Sequence, residues 1–144
     1  MTNFWKNKNI FITGINGFVG GNLAKSLIEK DANVFGLVRN QDYESFLNYE
    51  NLLRKVVIVK GNILDKQLII DIITENQIDY IFHFAAQVEV GIAIKNPFLT
   101  YQTNVTGSIN LLDAVLNANH KVKSVIVASS DKAYGEYPKN KMPY

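Results

Sequence analysis

No cysteine occurs among the 144 residues, which excludes disulfides and thiolate chemistry. Histidine is nearly as scarce. His83 and His120 are the only two, and without cysteine they fall short of a usual zinc ligand set, so no metal site is predicted. Charge is in short supply as well: charged residues make up 19% of the chain and the formal net charge is +2. The lysines are scattered rather than gathered into a basic stripe, which argues against nucleic acid as a partner. The opening Met1-Thr2-Asn3-Phe4-Trp5-Lys6 is polar, and its apolar stretch is too short for a signal peptide or a membrane span. A cytoplasmic protein with no membrane partner is therefore expected. What the chain does have is 47% hydrophobic residues and a length that suits one globular domain, 1–144, with a real core.

Apolar runs alternate with helical spacing. Runs at 10–13, 34–38, 56–59, 80–84 and 125–128 read as strands buried on both faces. Between them, 22–30 places Leu23, Ala24, Leu27 and Ile28 at helical spacing, and 41–53 reads as an irregular helix. The stretch 65–75 reads as a helix capped by Asp65, with Leu68, Ile69, Ile72 and Ile73 inward. After a loop at 85–96, Pro97 suits a helix start, and 98–119 carries Leu111, Leu112, Val115 and Leu116 on one face. Strands alternating with helices imply right-handed crossovers and an α/β fold, a doubly wound parallel sheet of order 3-2-1-4-5. No internal repeat, low-complexity segment or interdomain linker interrupts it.

The first strand runs into Gly14, Gly17 and Gly20, spaced as G-x-x-G-x-x-G. Gly14 permits a tight turn directly after the strand. Gly17 lets the backbone approach a pyrophosphate without a Cβ in the way, and Gly20 allows the helix to pack closely. The helix N-terminus then offers unpaired N–H groups and the positive end of its dipole to phosphates. A glycine-rich turn of no special purpose is the plain alternative. The position between the first strand and first helix of an alternating chain favours a Rossmann-type dinucleotide site. At the end of the second strand, Val38-Arg39-Asn40 offers an arginine where an acidic residue would hold the ribose hydroxyls of NAD. Arg39 could pair with the 2′-phosphate of NADP or be simply an exposed arginine, so NAD and NADP both stay open. Asn62 and Ile63, after the third strand, are placed to touch the adenine edge.

Four segments carry a resemblance: Thr13-Gly14-Ile15-Asn16-Gly17-Phe18-Val19-Gly20, Gly61-Asn62-Ile63-Leu64-Asp65, His83-Phe84-Ala85-Ala86-Gln87, and Asn104-Val105-Thr106-Gly107-Ser108-Ile109-Asn110-Leu111-Leu112. In that order they resemble the N-terminal half of the extended short-chain dehydrogenase/reductases, the NAD-dependent epimerase/dehydratase family that acts on sugar nucleotides. The resemblance implies cofactor contacts from Thr13, Gly14, Asn16, Gly17, Phe18, Val19 and Gly20, from Arg39, Asn62 and Ile63, and from Phe84, Ala85, Ala86, Gln87, Asn104 and Ala128. Asn104, like Tyr101, could instead support the loop before the long helix. His83 reads as a hydrogen-bonded core histidine.

Within the family, Ser129-Ser130-Asp131-Lys132-Ala133-Tyr134-Gly135 is most similar to 4,6-dehydratases, those acting on CDP-glucose in particular, although Val19 stands where such enzymes have lysine. The resemblance implies transient hydride transfer from C4 of the sugar to NAD or NADP, loss of water across C5 and C6, and return of the hydride to C6. Ser130 would hydrogen-bond the 4-hydroxyl, Asp131 would protonate the departing 6-hydroxyl, and Lys132 would assist near C5 or tune Asp131. A cation beside a carboxylate favours its ionised form, so burial or substrate must offset Lys132 if Asp131 is to hold a proton. Ser129-Ser130-Asp131 is also an ordinary helix cap. A 4-epimerase of the same family and a non-catalytic NAD(P)-binding module are the alternatives.

The family's Tyr-x-x-x-Lys pair does not occur on a helix after the fifth strand. Tyr137 and Lys141 have the spacing but follow that strand too closely. The substrate domain that the resemblance implies also lies beyond these residues. The expectation is a fragment or truncated product, incomplete at its C-terminal end and with negligible turnover alone. An unpaired sheet edge and bare apolar helix faces should make it marginally stable or self-associating. The resemblance further implies a nucleotide-sugar substrate and a homodimer for the whole enzyme.

Overall fold

The computed structural model describes residues 3–40, 45–130 and 135. Five parallel strands alternate with helices: β1 (Asn9–Thr13), β2 (Asn33–Val38), β3 (Val56–Lys60), β4 (Tyr80–His83) and β5 (Ser124–Val127). They form one sheet of order β3-β2-β1-β4-β5. This is the doubly wound Rossmann-type α/β arrangement that the alternation of patterns predicts.

Central β1 explains why the run Ile10-Phe11-Ile12 is continuous rather than alternating. Successive side chains point to opposite faces, and both faces are covered. Ile10 and Ile12 join a core with Ala24, Leu27 and Leu47. Phe11 joins a second core with Ile69, Ile73, Ile81 and Leu111. The edge strands depart from the expected two-sided burial. Val57 and Ile58 of β3 stay 53% and 39% exposed, and Ile126 and Val127 of β5 stay 40% and 42% exposed, because no described element covers those positions.

The first core lies under α1 (Phe18–Ile28) and the short α2 (Phe46–Tyr49). The irregular helix expected over 41–53 is therefore four residues long within its described part. Asn51, at φ 54°, takes the left-handed conformation that ends helices. The second core lies under α3 (Lys66–Glu75) and α6 (Gly107–Asn117). Asp65 caps α3, accepting from the Leu68 N–H at 3.1 Å. An ion pair of 2.8 Å between Lys66 and Asp113 links the two helices.

The stretch 85–96 is not all loop, since α4 (Val90–Lys95) lies within it. The long helix expected over 98–119 is interrupted. It runs as α5 (Pro97–Tyr101), a π-helical turn (Gln102–Thr106), and then α6. The inward stripe of α6 also differs. Leu111 and Ala114 are fully buried, whereas Leu112 and Leu116 are 46% and 84% exposed. Small residues carry the close contact instead: a Cβ on Gly107 would sit 2.7 Å from Ile63 Cγ2.

The amino ends of the central strands are knotted by Asp79. Its carboxylate accepts from the Asn9 N–H at 2.9 Å and from Lys123 Nζ at 2.5 Å. Its own backbone bonds Asn9 O and the Lys123 N–H, each at 2.8 Å. Burial alone would push this carboxyl up, but the Lys123 and Asn9 hydrogen bonds outweigh it and hold it below the ordinary range. The opposite, carboxyl end of the sheet is open.

Candidate cofactor site

At that open end β1 turns through Gly14 into α1. Gly14 sits at φ +72°, and a Cβ there would lie 2.6 Å from the carbonyl carbon of Phe84 and 2.7 Å from the Ala85 nitrogen. Only glycine lets the turn lie against the chain leaving β4. Gly17 N–H bonds Gly14 O at 3.0 Å, and Gly17 is the extended residue that precedes α1, with no side chain capping the helix. A Cβ on Gly17 would meet a single atom within 4 Å, Gly14 O at a tight 3.3 Å, so beyond that carbonyl the turn is open. At Gly20 a Cβ would run into Gly14 O and lie 2.9 Å from Ile15 Cα. The third glycine thus seats the helix on the turn itself.

The turn forms one wall of a cleft of about 680 Å³. Gly14, Asn16, Gly17, Phe18, Val19 and Gly20 line it from the turn and first helical residues, with Leu37, Val38, Arg39 and Asn40 from the end of β2. Ile63 adds to it after β3, Phe84, Ala85, Ala86 and Val88 after β4, Thr103 from the π-turn, and Ala128 and Ser129 after β5. The cleft lies outside the carboxyl ends of the strands, where doubly wound sheets take ligands. The first-turn N–H groups of a helix have no intrahelical acceptor, and those of α1 face this space uncapped. A pyrophosphate-bearing dinucleotide fits that cradle, in charge and in the room left at Gly17.

Most of the cofactor candidates named from sequence are thus brought together, but four stand elsewhere. Thr13 is fully buried, and its hydroxyl accepts from the Ala85 N–H at 3.2 Å. Asn62 is turned to its own loop, accepting from the Leu64 N–H at 3.0 Å. Asn104 grips the backbone of Gln87 twice, accepting its N–H at 2.6 Å and donating to its carbonyl at 3.1 Å. Gln87 is thereby held beside the cleft rather than in its wall, with its Nε2 buried and without a hydrogen-bond partner among the described residues. Of the catalytic candidates, Ser130 does not line the cleft, although its neighbour Ser129 does. Asp131 and Lys132 lie outside the described residues. Thr103 and Val88 escaped the sequence reading. The π-turn that presents Thr103 has no periodic signature, and Val88 follows β4 without a motif.

His83 is buried, as a core histidine should be, and burial pushes its imidazole below the ordinary pKa. Its Nδ1 lies 2.6 Å from Thr13 Oγ1 and its Nε2 3.0 Å from Ser108 Oγ. No group of histidine and acidic side chains that could hold a metal ion occurs among the described residues.

Residues 11–143 match the family described as GDP-mannose 4,6 dehydratase. A UDP-glucose 4-epimerase of Yersinia enterocolitica is 37% identical over 131 residues, covering 89% of this chain and 38% of the relative. A CDP-glucose 4,6-dehydratase of Salmonella typhimurium is 32% identical over 136 residues, covering 92% and 37%. Among solved structures, a UDP-glucose 4-epimerase of Stenotrophomonas maltophila, with bound NAD and formylated UDP-arabinopyranose, superposes with a TM-score of 0.79 at 29% identity, covering 91% of this chain and 39% of that one. The chain spans less than two-fifths of the length of these curated relatives. Its sequence, its sheet order and its glycine-built cleft place it in the GDP-mannose 4,6-dehydratase family of NAD-dependent epimerases and dehydratases.

Proposed function

We propose that this chain is the cofactor-binding part of a sugar-nucleotide 4,6-dehydratase that works through transient hydride transfer to NAD or NADP. The observation that carries the reading is the uncapped start of α1, set behind Gly14 and Gly17 at the wall of the 680 Å³ cleft. The backbone from Gly14 to Gly20 would hold the pyrophosphate. Arg39 would meet the adenosine ribose or its 2′-phosphate, and Ile63 the adenine. Phe84, Ala85, Ala86 and Ala128 would shape the nicotinamide end, where small side chains permit close approach. A nicotinamide bound there supplies a reversible hydride acceptor.

The substrate would be a nucleotide sugar, with Ser130 bonding its 4-hydroxyl, Asp131 protonating the departing 6-hydroxyl and Lys132 adjusting Asp131. The dehydratase choice rests on that run of three residues. A 4-epimerase is the second reading, favoured by the 37% identity to the Yersinia enzyme. This stretch alone is proposed to bind cofactor without turnover, since it has no Tyr-x-x-x-Lys placed as the family's is.

Calorimetric titration of the folded chain with NAD and NADP tests the cofactor reading, and absence of heat from both would sink it. Incubating the protein as it occurs naturally with CDP-glucose, UDP-glucose and GDP-mannose separates the chemistries. A 4-keto-6-deoxy product supports the dehydratase, and a C4-inverted sugar supports the epimerase.

A further inference from the structure

Beneath the cleft a continuous line of hydrogen bonds joins groups far apart in sequence. The Ser108 hydroxyl donates to Asn104 O at 2.7 Å, so towards His83 Nε2, 3.0 Å away, it acts as acceptor. That assigns the ring proton to Nε2 and leaves the Nδ1 lone pair for the Thr13 hydroxyl at 2.6 Å. With its proton on His83, Thr13 Oγ1 accepts the Ala85 N–H at 3.2 Å. At the other end of the line, Asn104 holds both backbone groups of Gln87. Each donor therefore meets an acceptor in one tautomer only.

We propose that His83 is a positioning residue: its neutral Nε2–H tautomer ties β1 through Thr13 to the helix through Ser108, and so pins both ends of the segment Ala85-Ala86-Gln87, whose first two residues line the cleft. Two observations support a fixed rather than incidental arrangement. Thr13 is fully buried and His83 only 3% exposed, where an unmatched hydroxyl or ring nitrogen is costly. The π-turn, a geometry that recurs at functional sites, contains Asn104 and ends two residues before Ser108. Among the described residues of the elements packed against His83, β1 and β5 carry no titratable side chain, and Asp113, the one on α6, is paired with Lys66. The consequence for cofactor affinity rests on the proposed dinucleotide site; the relay itself does not.

The test compares Thr13→Val, Thr13→Ser and Ser108→Ala in this chain. It reads amide hydrogen exchange at Ala85 and Gln87, the nitrogen chemical shifts of the His83 ring, and NAD and NADP affinity. Thr13→Val keeps the shape of the side chain but removes the hydroxyl. We expect at least tenfold faster exchange at Ala85, with Thr13→Ser restoring the wild-type rate. Ser108→Ala should speed exchange at Gln87 and shift the Nε2 resonance. An Nδ1–H tautomer in the wild type, or unchanged exchange at Ala85 in a folded Thr13→Val protein, overturns the inference. If the wild type binds neither dinucleotide, the cofactor reading fails while exchange and ring shifts still decide the relay. If it binds, affinity should fall about tenfold in Thr13→Val and recover in Thr13→Ser; equal affinity in the two would refute the link to the cleft.

Discussion

Replacing Gly20 by alanine sets two physical effects against each other. Gly20 lies in the first turn of α1, and alanine in a helix is favoured over glycine by about 1 kcal/mol. Helix propensity alone therefore predicts a more stable protein. The added methyl, however, would overlap Gly14 O and lie 2.9 Å from Ile15 Cα and 3.0 Å from Gly14 C. All three atoms belong to backbone, so no rotamer change relieves the overlap. Overpacking of this kind costs roughly 1–3 kcal/mol, and the absence of a yielding side chain puts this site at the upper end. The net expectation is a loss of about 2 kcal/mol, or a fall in Tm of roughly 4–8 °C for a domain of this size. Gly91→Ala supplies the control, because Gly91 is also helical, in α4, and a Cβ there meets nothing within 4 Å. It should gain up to about 1 kcal/mol. Urea titrations followed by circular dichroism measure both variants. Should Gly20→Ala prove as stable as wild type, or shift upward alongside Gly91→Ala, the helix is not seated on the glycine turn as described.

Other outcomes follow from the same geometry. Asp79→Ala strands the Asn9 N–H and releases Lys123, and should cost about 1–3 kcal/mol, read as a lower urea midpoint. Because the Asp79 carboxyl is held below its ordinary pKa of 3.8, its contribution is complete above that value and disappears as pH falls through the folded value. Asp79→Asn should therefore flatten the acid limb of the stability profile below pH 4, and an unchanged limb would contradict the knot. His83 has the lowered imidazole pKa that burial produces, so an unfolded chain binds its proton first. Stability should be full above about pH 6.5 and decline as pH falls below it, and a denaturation series from pH 7.5 to 5 showing no decline would be contrary evidence. Arg39→Asp should weaken NADP binding about tenfold or more while sparing or improving NAD; equal losses for both would remove Arg39 from the ribose end.

Strand order was legible because each strand of this sheet is a short apolar run and each crossover has one allowed hand. The glycine turn was legible because Gly14 and Gly20 answer steric demands that no other residue meets. The short helix α4 was not. Its neighbourhood places Val88, Val90, Ile92 and Ile94 at alternate positions, a spacing with no helical face, and Val90, Ile92 and Ile94 are 71%, 38% and 76% exposed. The stripe of α6 was legible only in part: Leu111 and Val115 pack inward as expected, whereas the equally apolar Leu112 and Leu116 are exposed and the small Gly107 and Ala114 complete the packing. The place of His83 in the core could be read from its apolar strand. Its partners could not, because Thr13 lies 70 residues away and Ser108 25 residues away, and only the folded sheet brings them within reach. Asn104 illustrates the same limit. Its helix could be foreseen, but the choice between touching a ligand and gripping Gln87 depends on a π-turn that leaves no periodic trace.

The Asp79 knot gives the sheet a fixed end and a free end. Changes that accumulate at the carboxyl tips of the strands alter which molecule is held, while the base that keeps the strands in register is untouched by them. A lineage built on such a sheet can exchange ligands by editing short loops and leave its folding instructions intact. Mutational records from the two ends should accordingly look different: tolerant and divergent around the mouth, and unforgiving at Asn9, Asp79 and Lys123.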